Sequence, residues 1–370
     1  MFVRLLCLIF CVLFLSDTTF ATQGDLQSEP ILNFKLSTGI SKQKVYLATE
    51  LFRWDKTAFP MIETAQGEYS ISISKPWLYK LEYKFIIDEK WITDPGNLNQ
   101  TPDSLGSYNS YLNLDFQDDH LLSKHEHTPG VIKTQLLLKD LEGAKRKITT
   151  ITPNVSLNER SIVAVYFQDG QDYLEKSGIE NLLANLSLDK DMPIIVGVFI
   201  PPKDRFREYG ELNLKNRYVD FLSDVVVPAI EKQFKYKNTN QQRLLIGSSL
   251  GGLISLYTGL TRPEIFGAVA VQSGSFWYRD HEIMQILKKS TAQKLELFID
   301  VGFYEGILQD SELMLDTNRN VAKLAKSRGY NVYFAEYPTT HDWIAWRNRL
   351  SKILMAFYKQ PAGTTHARTF

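Results

Sequence analysis

The chain has 370 residues, with 42 lysines and arginines balanced by 42 aspartates and glutamates, so its formal net charge is zero. This balance excludes the basic face that nucleic-acid binding requires, and it excludes an acidic tail. The length exceeds that of one ordinary domain and favours a main domain with a smaller module.

The first 21 residues have the three-part pattern of a secretory signal peptide. Arg4 precedes an apolar run over residues 5–15, and small residues lead to Ala21. The run is too short to span a bilayer comfortably, so we expect cleavage after Ala21, export to the periplasm or the medium, and no membrane span in the mature protein. A buried N-terminal helix is the weaker alternative. Both cysteines, Cys7 and Cys11, lie here, so the mature chain should fold without disulfides.

Short β-type runs fill residues 44–115, after an N-terminal segment of residues 22–43. The stretches "KVYLAT", "YSISIS", "LEYKFII" and "SYLNLD" cluster β-branched and aromatic residues between turn signals. They predict a small immunoglobulin-like β-sandwich. Its three tryptophans, Trp54, Trp77 and Trp91, are either core residues or a binding platform, and composition alone favours the core.

The stretches "VYLATELFRWDKTAFPM", "LEYKFIIDEKWITDPGN" and "SLGSYNSYLNL" resemble the glycogen-binding modules of AMP-activated protein kinase and of starch-branching enzymes. In that family two tryptophans stack on glucose rings, and a lysine, a leucine and an asparagine complete the site. The matching positions are Trp54, Trp91, Lys84, Leu105 and Asn109. Aromatic faces pair well with the C–H faces of sugars. The resemblance implies a carbohydrate-binding module with glucan as ligand; a sandwich that only covers the neighbouring domain is the alternative.

Residues 116–130 are polar and end in a Pro-Gly pair, which predicts a linker. They contain His120, His125 and His127. The spacing of the last two suggests a metal pair, but no carboxylate or cysteine framework accompanies them, so we expect solvated side chains and no bound metal.

From residue 131 to 360 the pattern changes to strands that alternate with helices. "VIKTQLLLKD" and "KRKITTITP" predict a hairpin, and runs such as "MPIIVGVFI" and "FGAVAVQSG" predict strands that are buried on both faces. Such runs between amphipathic helices predict a mostly parallel sheet covered on both sides, in the α/β class. Ligands of these sheets bind at the carboxyl ends of the strands. Residues 361–370 form a tail.

A nucleophile motif, G-x-S-x-G, lies between a predicted strand, "QRLLIG", and a predicted helix, "LGGLISLYTGL". Its central residue is Ser249, flanked at the required offsets by Gly247 and Gly251. Such a serine needs a strained backbone that exposes its hydroxyl above the sheet, and small residues two positions away. Ser248 lacks those neighbours and is assigned a supporting role. A helix-capping loop is the alternative that the strand–turn–helix context disfavours.

A serine nucleophile needs a base, and the chain has six histidines. Three lie in the predicted linker, His281 lies in a polar segment and His366 in the tail. His341 follows a predicted core strand and precedes a helix, a position from which it can reach the serine of a neighbouring loop. A histidine that caps the helix is the weaker interpretation.

The acid of such a site should lie between serine and histidine in the chain, at the end of the strand in "LELFIDVGFYEG". Asp300 lies inside this strand, whereas Glu305 lies in the loop beyond it. We therefore predict Glu305, with Asp300 and Asp310 as alternatives. The acid would hold the imidazole tautomer and stabilise the imidazolium.

The oxyanion donors should be backbone N–H groups. One belongs to Leu250, the residue after the nucleophile, and Gln171 in "YFQDGQDY" is the candidate for the second. No metal or cofactor is required, because the histidine activates the hydroxyl and backbone dipoles stabilise the oxyanion.

"YFQDGQDYLEKSGI", "DRFREY", "IGSSLGGLISLY", "PEIFGAVAVQSGSFWY" and "THDW" resemble the putative esterase family, which includes enterochelin esterase, esterase D, feruloyl esterases and mycolyltransferases. The resemblance implies an α/β-hydrolase fold and a substrate pocket bordered by Arg205, Glu208 and Trp277. "VGFYE" departs from the more usual Gly-Thr before the acid. A surface ion pair between Arg205 and Glu208 is the alternative for those two residues.

Together these features predict a secreted or periplasmic serine esterase that cleaves small-molecule esters, such as siderophore, feruloyl or acyl-sugar esters, through an acyl-enzyme. An acyltransferase of the same fold is one alternative. A glucan-binding protein with a vestigial hydrolase domain is another. Among hydrolytic substrates, a siderophore trilactone is the sharper hypothesis.

Overall fold

The computed structural model describes residues 30–103, 106–156, 160–212, 216–291, 294–305 and 314–359. The predicted signal peptide and tail, Leu105, Asp310 and His366 lie outside these residues. None of the helices in the described ranges combines the length and the apolar character needed to cross a membrane.

The N-terminal module is a β-sandwich of antiparallel strands. Its strands are β1 Ile31–Ser37, β2 Val45–Thr49, β3 Phe59–Pro60, β4 Ile62–Ala65, β5 Glu68–Ser74, β6 Lys80–Ile87, β7 Lys90–Ile92, β8 Gln100–Pro102 and β9 Tyr108–Asn113. One sheet has the order β1-β5-β4, and the other has the order β3-β2-β6-β9-β8 with β7 paired to β6. Apolar side chains from both sheets form one core.

The sandwich starts earlier than the sequence predicts. Strand β1 pairs with β5 from Ile31 opposite Ser74 to Ser37 opposite Glu68, so part of the predicted N-terminal segment 22–43 belongs to the sandwich. Phe34 and Leu36 alternate with exposed residues and are buried in its core. The boundary predicted at residue 44 is therefore too late, because the period-two pattern of residues 31–37 was assigned to an N-terminal segment outside the sandwich.

The predicted linker is packed against the C-terminal domain. The Asp118 carboxylate accepts hydrogen bonds from Arg347 at 2.8 Å and from Asn348 at 2.7 Å. The Leu122 side chain is buried in the core of the larger domain. His125 Nε2 lies 2.8 Å from the carbonyl oxygen of His120, and within the described ranges no group of three histidine, cysteine or acidic side chains is placed to hold a metal ion.

The larger domain is built on one eight-stranded sheet. Its strands are β10 Val131–Lys139, β11 Lys145–Pro153, β12 Ile162–Gln168, β13 Ile194–Ile200, β14 Arg243–Ser248, β15 Ala268–Gln272, β16 Glu296–Gly302 and β17 Asn331–Tyr337, in the order β10-β11-β13-β12-β14-β15-β16-β17. The hairpin β10-β11 and the β11-β13 pair are antiparallel, and the other pairs are parallel. The predicted α/β-hydrolase sheet is confirmed.

Helices cover both faces of this sheet. They are α1 Gly170–Lys176, α2 Ile179–Leu186, α3 Arg205–Gly210, α4 Arg217–Phe221, α5 Val227–Phe234, α6 Leu250–Thr261, α7 Tyr278–Lys289, α8 Met314–Ser327, α9 Trp343–Arg347 and α10 Leu350–Tyr358. Along β12, Val163, Val165 and Phe167 join one core cluster while Ala164 and Tyr166 join the other. The parallel strands β12 to β16 thus bury both faces, which explains their largely apolar sequences.

Helix α6 lies unusually close to the sheet. A Cβ atom added to Gly252 would lie 2.7 Å from Val271 Cγ1, and one added to Gly259 would lie 2.5 Å from Val269 Cγ2. Real Cβ atoms do not approach other atoms so closely, so glycine at both positions lets the helix contact β15 directly. Because α6 begins two residues after the end of β14, its N-terminus lies at the carboxyl edge of the sheet.

Candidate active site

Ser249 occupies the sharp turn between β14 and α6. Its backbone angles, φ 57° and ψ −123°, are strained for a residue with a side chain. A Cβ atom on Gly247 would lie 2.1 Å from the carbonyl oxygen of Gly251, and one on Gly251 would lie 3.0 Å from Asp169 Oδ2. The turn therefore demands the glycine spacing that the motif contains.

The Ser249 hydroxyl is accessible and hydrogen bonded to a second serine. Its Oγ lies 3.1 Å from Ser275 Oγ, and the Ser275 N–H donates to the Ser249 carbonyl at 3.1 Å. Ser248 is buried. Ser275 was missed by the sequence reasoning, although it follows β15, the strand beside β14, and strand ends in a parallel sheet share one edge.

His341 and Glu305 are brought together at the same edge. His341 Nδ1 lies 2.8 Å from Glu305 Oε2. The Glu305 side chain is buried, and its other oxygen accepts hydrogen bonds from the Ser273 hydroxyl and, at 2.7 Å, from the Gly302 N–H. A carboxylate at this position selects the tautomer protonated on Nδ1, which leaves the Nε2 lone pair free to act as a base.

The imidazole is partly exposed, with 33% of the His341 side chain accessible. Its ring packs edge-on against Trp346, with centroids 5.0 Å apart. In this resting arrangement the Ser249 hydroxyl bonds to Ser275 rather than to the imidazole. Catalytic hydrogen bonds commonly form or tighten only when substrate binds.

Asp300, the alternative acid, lies in a buried ion pair. Its Oδ1 is 3.0 Å from Arg349 Nη2, and both side chains are fully buried. Burial raises the pKa of Asp300 to about 7, because desolvation outweighs the attraction of Arg349 and the Glu305 charge adds repulsion. Asp300 is thus engaged by a guanidinium, whereas Glu305 is engaged by the imidazole. Asp310 lies outside the described residues.

A buried polar cluster joins the two carboxylates. Ser273 Oγ accepts a hydrogen bond from Trp346 Nε1 at 3.1 Å and one from Arg349 Nη2 at 3.3 Å, and it donates its own proton to Glu305. Ser273 has a left-handed backbone with φ 51°. Arg349 also donates to Thr339 Oγ1 at 3.0 Å. The sequence reasoning missed these residues, because they are distant in the chain and share no motif.

Both oxyanion candidates lie near the N-terminus of a helix. Leu250 and Gln171 lie in the first turns of α6 and α1, where N–H groups have no acceptor inside the helix. The Asp169 N–H is already donated to the Tyr209 hydroxyl at 2.9 Å, and the Gln171 side chain bonds to Glu175. The main chain of Gln171, rather than its amide side chain, is therefore the group available for an oxyanion.

Arg205 and Glu208 do not pair with each other, so the surface ion pair considered as an alternative is wrong. Arg205 forms two hydrogen bonds of 2.9 Å with Asp169, the residue whose Oδ2 faces the elbow glycine. Burial raises the pKa of Asp169 against the lowering effect of Arg205. Arg205 is thereby held beside the turn that carries the serine.

Glu208 points elsewhere. Its carboxylate accepts from Arg146 Nη1 at 2.9 Å and from the Lys203 N–H at 3.1 Å. It lines a charged cavity of about 190 Å³ between the β10–β11 hairpin and α3. Its predicted place in the substrate pocket gains no support from these contacts.

Trp277 follows Ser275 and packs on Val301, Met314 and Leu315. Its indole Nε1 is buried, and it has no hydrogen-bond partner within the part of the chain that the structure describes. The residue is half-buried near the carboxyl end of β16, and its predicted place in the substrate pocket stays a prediction.

Four of the five carbohydrate-binding candidates line one groove on the sandwich. Trp54, Lys84, Trp91 and Asn109 border a space of about 600 Å³, and Trp91 is 43% exposed. Leu105 lies outside the described residues. Trp77 is not part of this groove and stacks on Phe116, with ring centroids 5.8 Å apart.

Both polar candidates in the groove already have protein partners. Lys84 Nζ lies 2.7 Å from Asp103 Oδ2, and Asn109 Nδ2 donates to Glu82 Oε2 at 2.9 Å. A sugar would therefore meet two aromatic faces and a preorganised set of charged and amide groups.

Comparison with known proteins identifies the larger domain. Residues 141–357 match the family model Esterase, described as "Putative esterase". The chain belongs to the putative esterase family. The protein is accordingly a carboxylic ester hydrolase by enzyme class.

Two curated relatives illustrate the family. The uncharacterised protein YbbA of Bacillus subtilis strain 168 is 32% identical over 206 residues, which are 51% of this chain and 80% of that protein. The iron(III) enterobactin esterase of Escherichia coli K12 is 22% identical over 227 residues, which are 59% of this chain and 55% of that protein.

A solved structure shares the fold of both domains. The enterobactin esterase FES from Shigella flexneri aligns with a TM-score of 0.61 and 17% identity, and the alignment covers 88% of this chain and 92% of that chain. Such coverage is more than the esterase domain alone can supply. The sandwich therefore takes part in the alignment.

Removal of Arg349 should destabilise the protein in a pH-dependent way. We expect Arg349→Met to lower the free energy of unfolding by about 3–5 kcal/mol near pH 8.5, where Asp300 is ionised and loses its only guanidinium partner among the described residues. The pKa of Asp300 is higher in the folded protein, at about 7, than in the unfolded chain. The folded state therefore binds the proton more tightly, and the contribution of Asp300 to wild-type stability falls as the pH rises through the range between these two pKa values. Near pH 5.5 the ion pair is largely neutralised, and the loss should shrink.

Urea unfolding at the two pH values measures this difference. Arg319→Met is the matched control, because Arg319 pairs with Glu336 at 2.7 Å on the surface, where such pairs contribute about 0–1 kcal/mol. An equal loss for Arg349→Met at both pH values would contradict the role given to Asp300.

Proposed function

We propose that the protein is a serine esterase in which Ser249, His341 and Glu305 form the catalytic triad. The observation that carries this proposal is the Glu305–His341 contact of 2.8 Å at the sheet edge that also presents the strained Ser249. Rotation of the hydroxyl from Ser275 towards His341 Nε2 would permit proton transfer as Oγ attacks the ester carbonyl. Glu305 would stabilise the imidazolium that results.

The rest of the cycle follows from the same groups. The Leu250 and Gln171 N–H groups would donate to the oxyanion of the tetrahedral intermediate. The imidazolium would protonate the leaving alcohol, and the acyl group would remain on Ser249. Water, deprotonated by His341, would then attack the acyl-enzyme and release the acid. Attack by a sugar or lipid alcohol at this step would make the protein an acyltransferase instead.

For the substrate, we propose a siderophore trilactone before feruloyl or acyl-sugar esters. The support is that the enterobactin esterase of Shigella flexneri aligns over both domains, so the likeness includes the sandwich. Arg205, which is 34% exposed beside the serine turn and is ion-paired with Asp169 through Nε and Nη2, would donate from its remaining guanidinium N–H groups to an anionic ferric catecholate. A fold of this kind hosts many chemistries, so the substrate rests on this combination rather than on the fold.

The expected loss of activity in variants tests the triad. Ser249→Ala and Glu305→Gln should each lower kcat for short-chain p-nitrophenyl esters by about 1000-fold or more, because triad members act as a unit. Ser248→Ala is the matched control, and it should still be labelled at Ser249 by a fluorophosphonate probe that mass spectrometry locates. A wild-type protein that neither turns over nor labels would overturn the proposal.

We also propose export to the periplasm or the medium. The support is the sequence pattern of the first 21 residues, with its short apolar run after Arg4. N-terminal sequencing of the protein from fractionated cells should read Thr22 first. Recovery of the unprocessed chain from the cytoplasm would contradict this proposal.

A second activity, glucan binding by the sandwich, is favoured by the groove that holds Trp54 and Trp91 together. Trp91→Ala should weaken binding of a maltooligosaccharide by about 10-fold in calorimetry, because it removes a stacking face. Phe206→Ala is the control, since Phe206 is 66% exposed on the esterase domain, away from the groove. Equal affinities of wild type and Trp91→Ala would reject the groove as the site.

A further inference from the structure

The turn that carries Glu305 is embedded in the sandwich. Tyr304, the residue before Glu305, is buried and belongs to the hydrophobic core of the N-terminal module. Its ring meets those of Phe52 and Phe59 edge-on, with centroids 6.1 Å and 6.5 Å away. Its hydroxyl donates a hydrogen bond to the carbonyl oxygen of Ser74. The sandwich thus holds Tyr304, the residue next to the proposed triad acid, through packing and a hydrogen bond.

The loop that carries the base contacts the same module. The Trp77 N–H donates to the Pro338 carbonyl at 2.8 Å, and the Trp77 ring lies 5.2 Å from that of Tyr337. The Tyr304 N–H donates to the Thr339 carbonyl at 3.1 Å, two residues before His341. The acid turn and the base loop are therefore tied both to each other and to the sandwich.

We infer that the sandwich is a positioning element of the esterase site, with Tyr304 as the positioning residue for Glu305. This inference rests on the proposed function, because it assigns Glu305 the role of triad acid. The carboxylate must keep its 2.8 Å contact with His341 Nδ1 to hold the imidazole in its productive orientation. Release of Tyr304 from the sandwich would let the short turn after β16 shift and loosen that contact.

The packing of this turn into the sandwich explains why its sequence is Phe-Tyr-Glu. An aromatic pair at 303 and 304 suits a turn that inserts into a neighbouring apolar core. Tyrosine adds a hydroxyl that satisfies the strand carbonyl of Ser74. An esterase without a sandwich would have no core to receive these rings.

Tyr304→Phe tests the inference with little change in packing. It removes the hydrogen bond to Ser74 and should lower kcat by about 3- to 10-fold, the effect of one lost hydrogen bond, while KM stays within about 2-fold. The rate of fluorophosphonate labelling at saturating probe should fall in parallel. Tyr83→Phe is the control, because Tyr83 is a buried tyrosine of the same core whose hydroxyl donates to Asp94 at 2.6 Å.

Tyr83→Phe also removes the hydrogen bond that the Tyr83 hydroxyl accepts from Asn97 Nδ2 at 3.0 Å, so it should lose at least as much thermal stability as Tyr304→Phe. The control therefore accounts for any general effect of weakening the sandwich. A kcat loss confined to Tyr304→Phe supports the inference, and equal kcat values for the two variants overturn it. Glu305→Gln, measured beside them, distinguishes a failure of the acid assignment from a failure of the positioning role of Tyr304. Full activity in Glu305→Gln would overturn the assigned acid, whereas an inactive Glu305→Gln with unchanged Tyr304→Phe would overturn only the positioning role.

Discussion

The strained backbone of Ser249 is the constraint on which the rest of the site depends. Its N–H donates to the Gln272 carbonyl at 3.0 Å, and its carbonyl accepts from Ser275 and from the first turn of α6. Several partners thus hold a conformation that a free chain would avoid. They are available because α6 packs directly on β15 through glycines, so the sheet stabilises the turn that lifts the hydroxyl above its edge.

Asp300 and Glu305 are both buried and only five positions apart, but they have different partners. Asp300 lies within β16, where it pairs with the fully buried guanidinium of Arg349. Glu305 lies beyond the strand, and its free oxygen faces the imidazole while Ser273 and a backbone N–H occupy the other. The buried Arg349 contacts both Asp300 and Ser273, and Ser273 donates to Glu305. The charge on Glu305 is therefore influenced by buried groups that lie behind the site.

The two domains form one structural unit around the candidate site. The linker is anchored by Asp118, and the sandwich contributes the apolar core into which Tyr304 inserts. The groove formed by Trp54 and Trp91 lies on the same module. The sandwich, which resembles a glycogen-binding module, is therefore in direct contact with the turn and the loop that carry two of the candidate site residues.

Local sequence patterns were sufficient to predict the α/β sheet, the hairpin that begins it and the G-x-S-x-G turn. These features depend on side-chain periodicity and on backbone conformations that glycine permits, both of which are local. Because the chain has only six histidines, His341 was also the one candidate for the base that sequence position favoured. The prediction did not include β1, a short alternating strand that precedes the predicted start of the sandwich.

Only the tertiary structure decided which polar groups meet. The choice between Glu305 and Asp300 depended on Arg349, which is far away in the chain and reaches β16 from the start of α10. Ser275, Ser273 and the insertion of Tyr304 into the sandwich were likewise invisible, because the sequence does not encode distances between strand ends directly. The sequence by itself determined the fold class and the nucleophile motif, whereas three-dimensional packing determined the partners of each catalytic candidate.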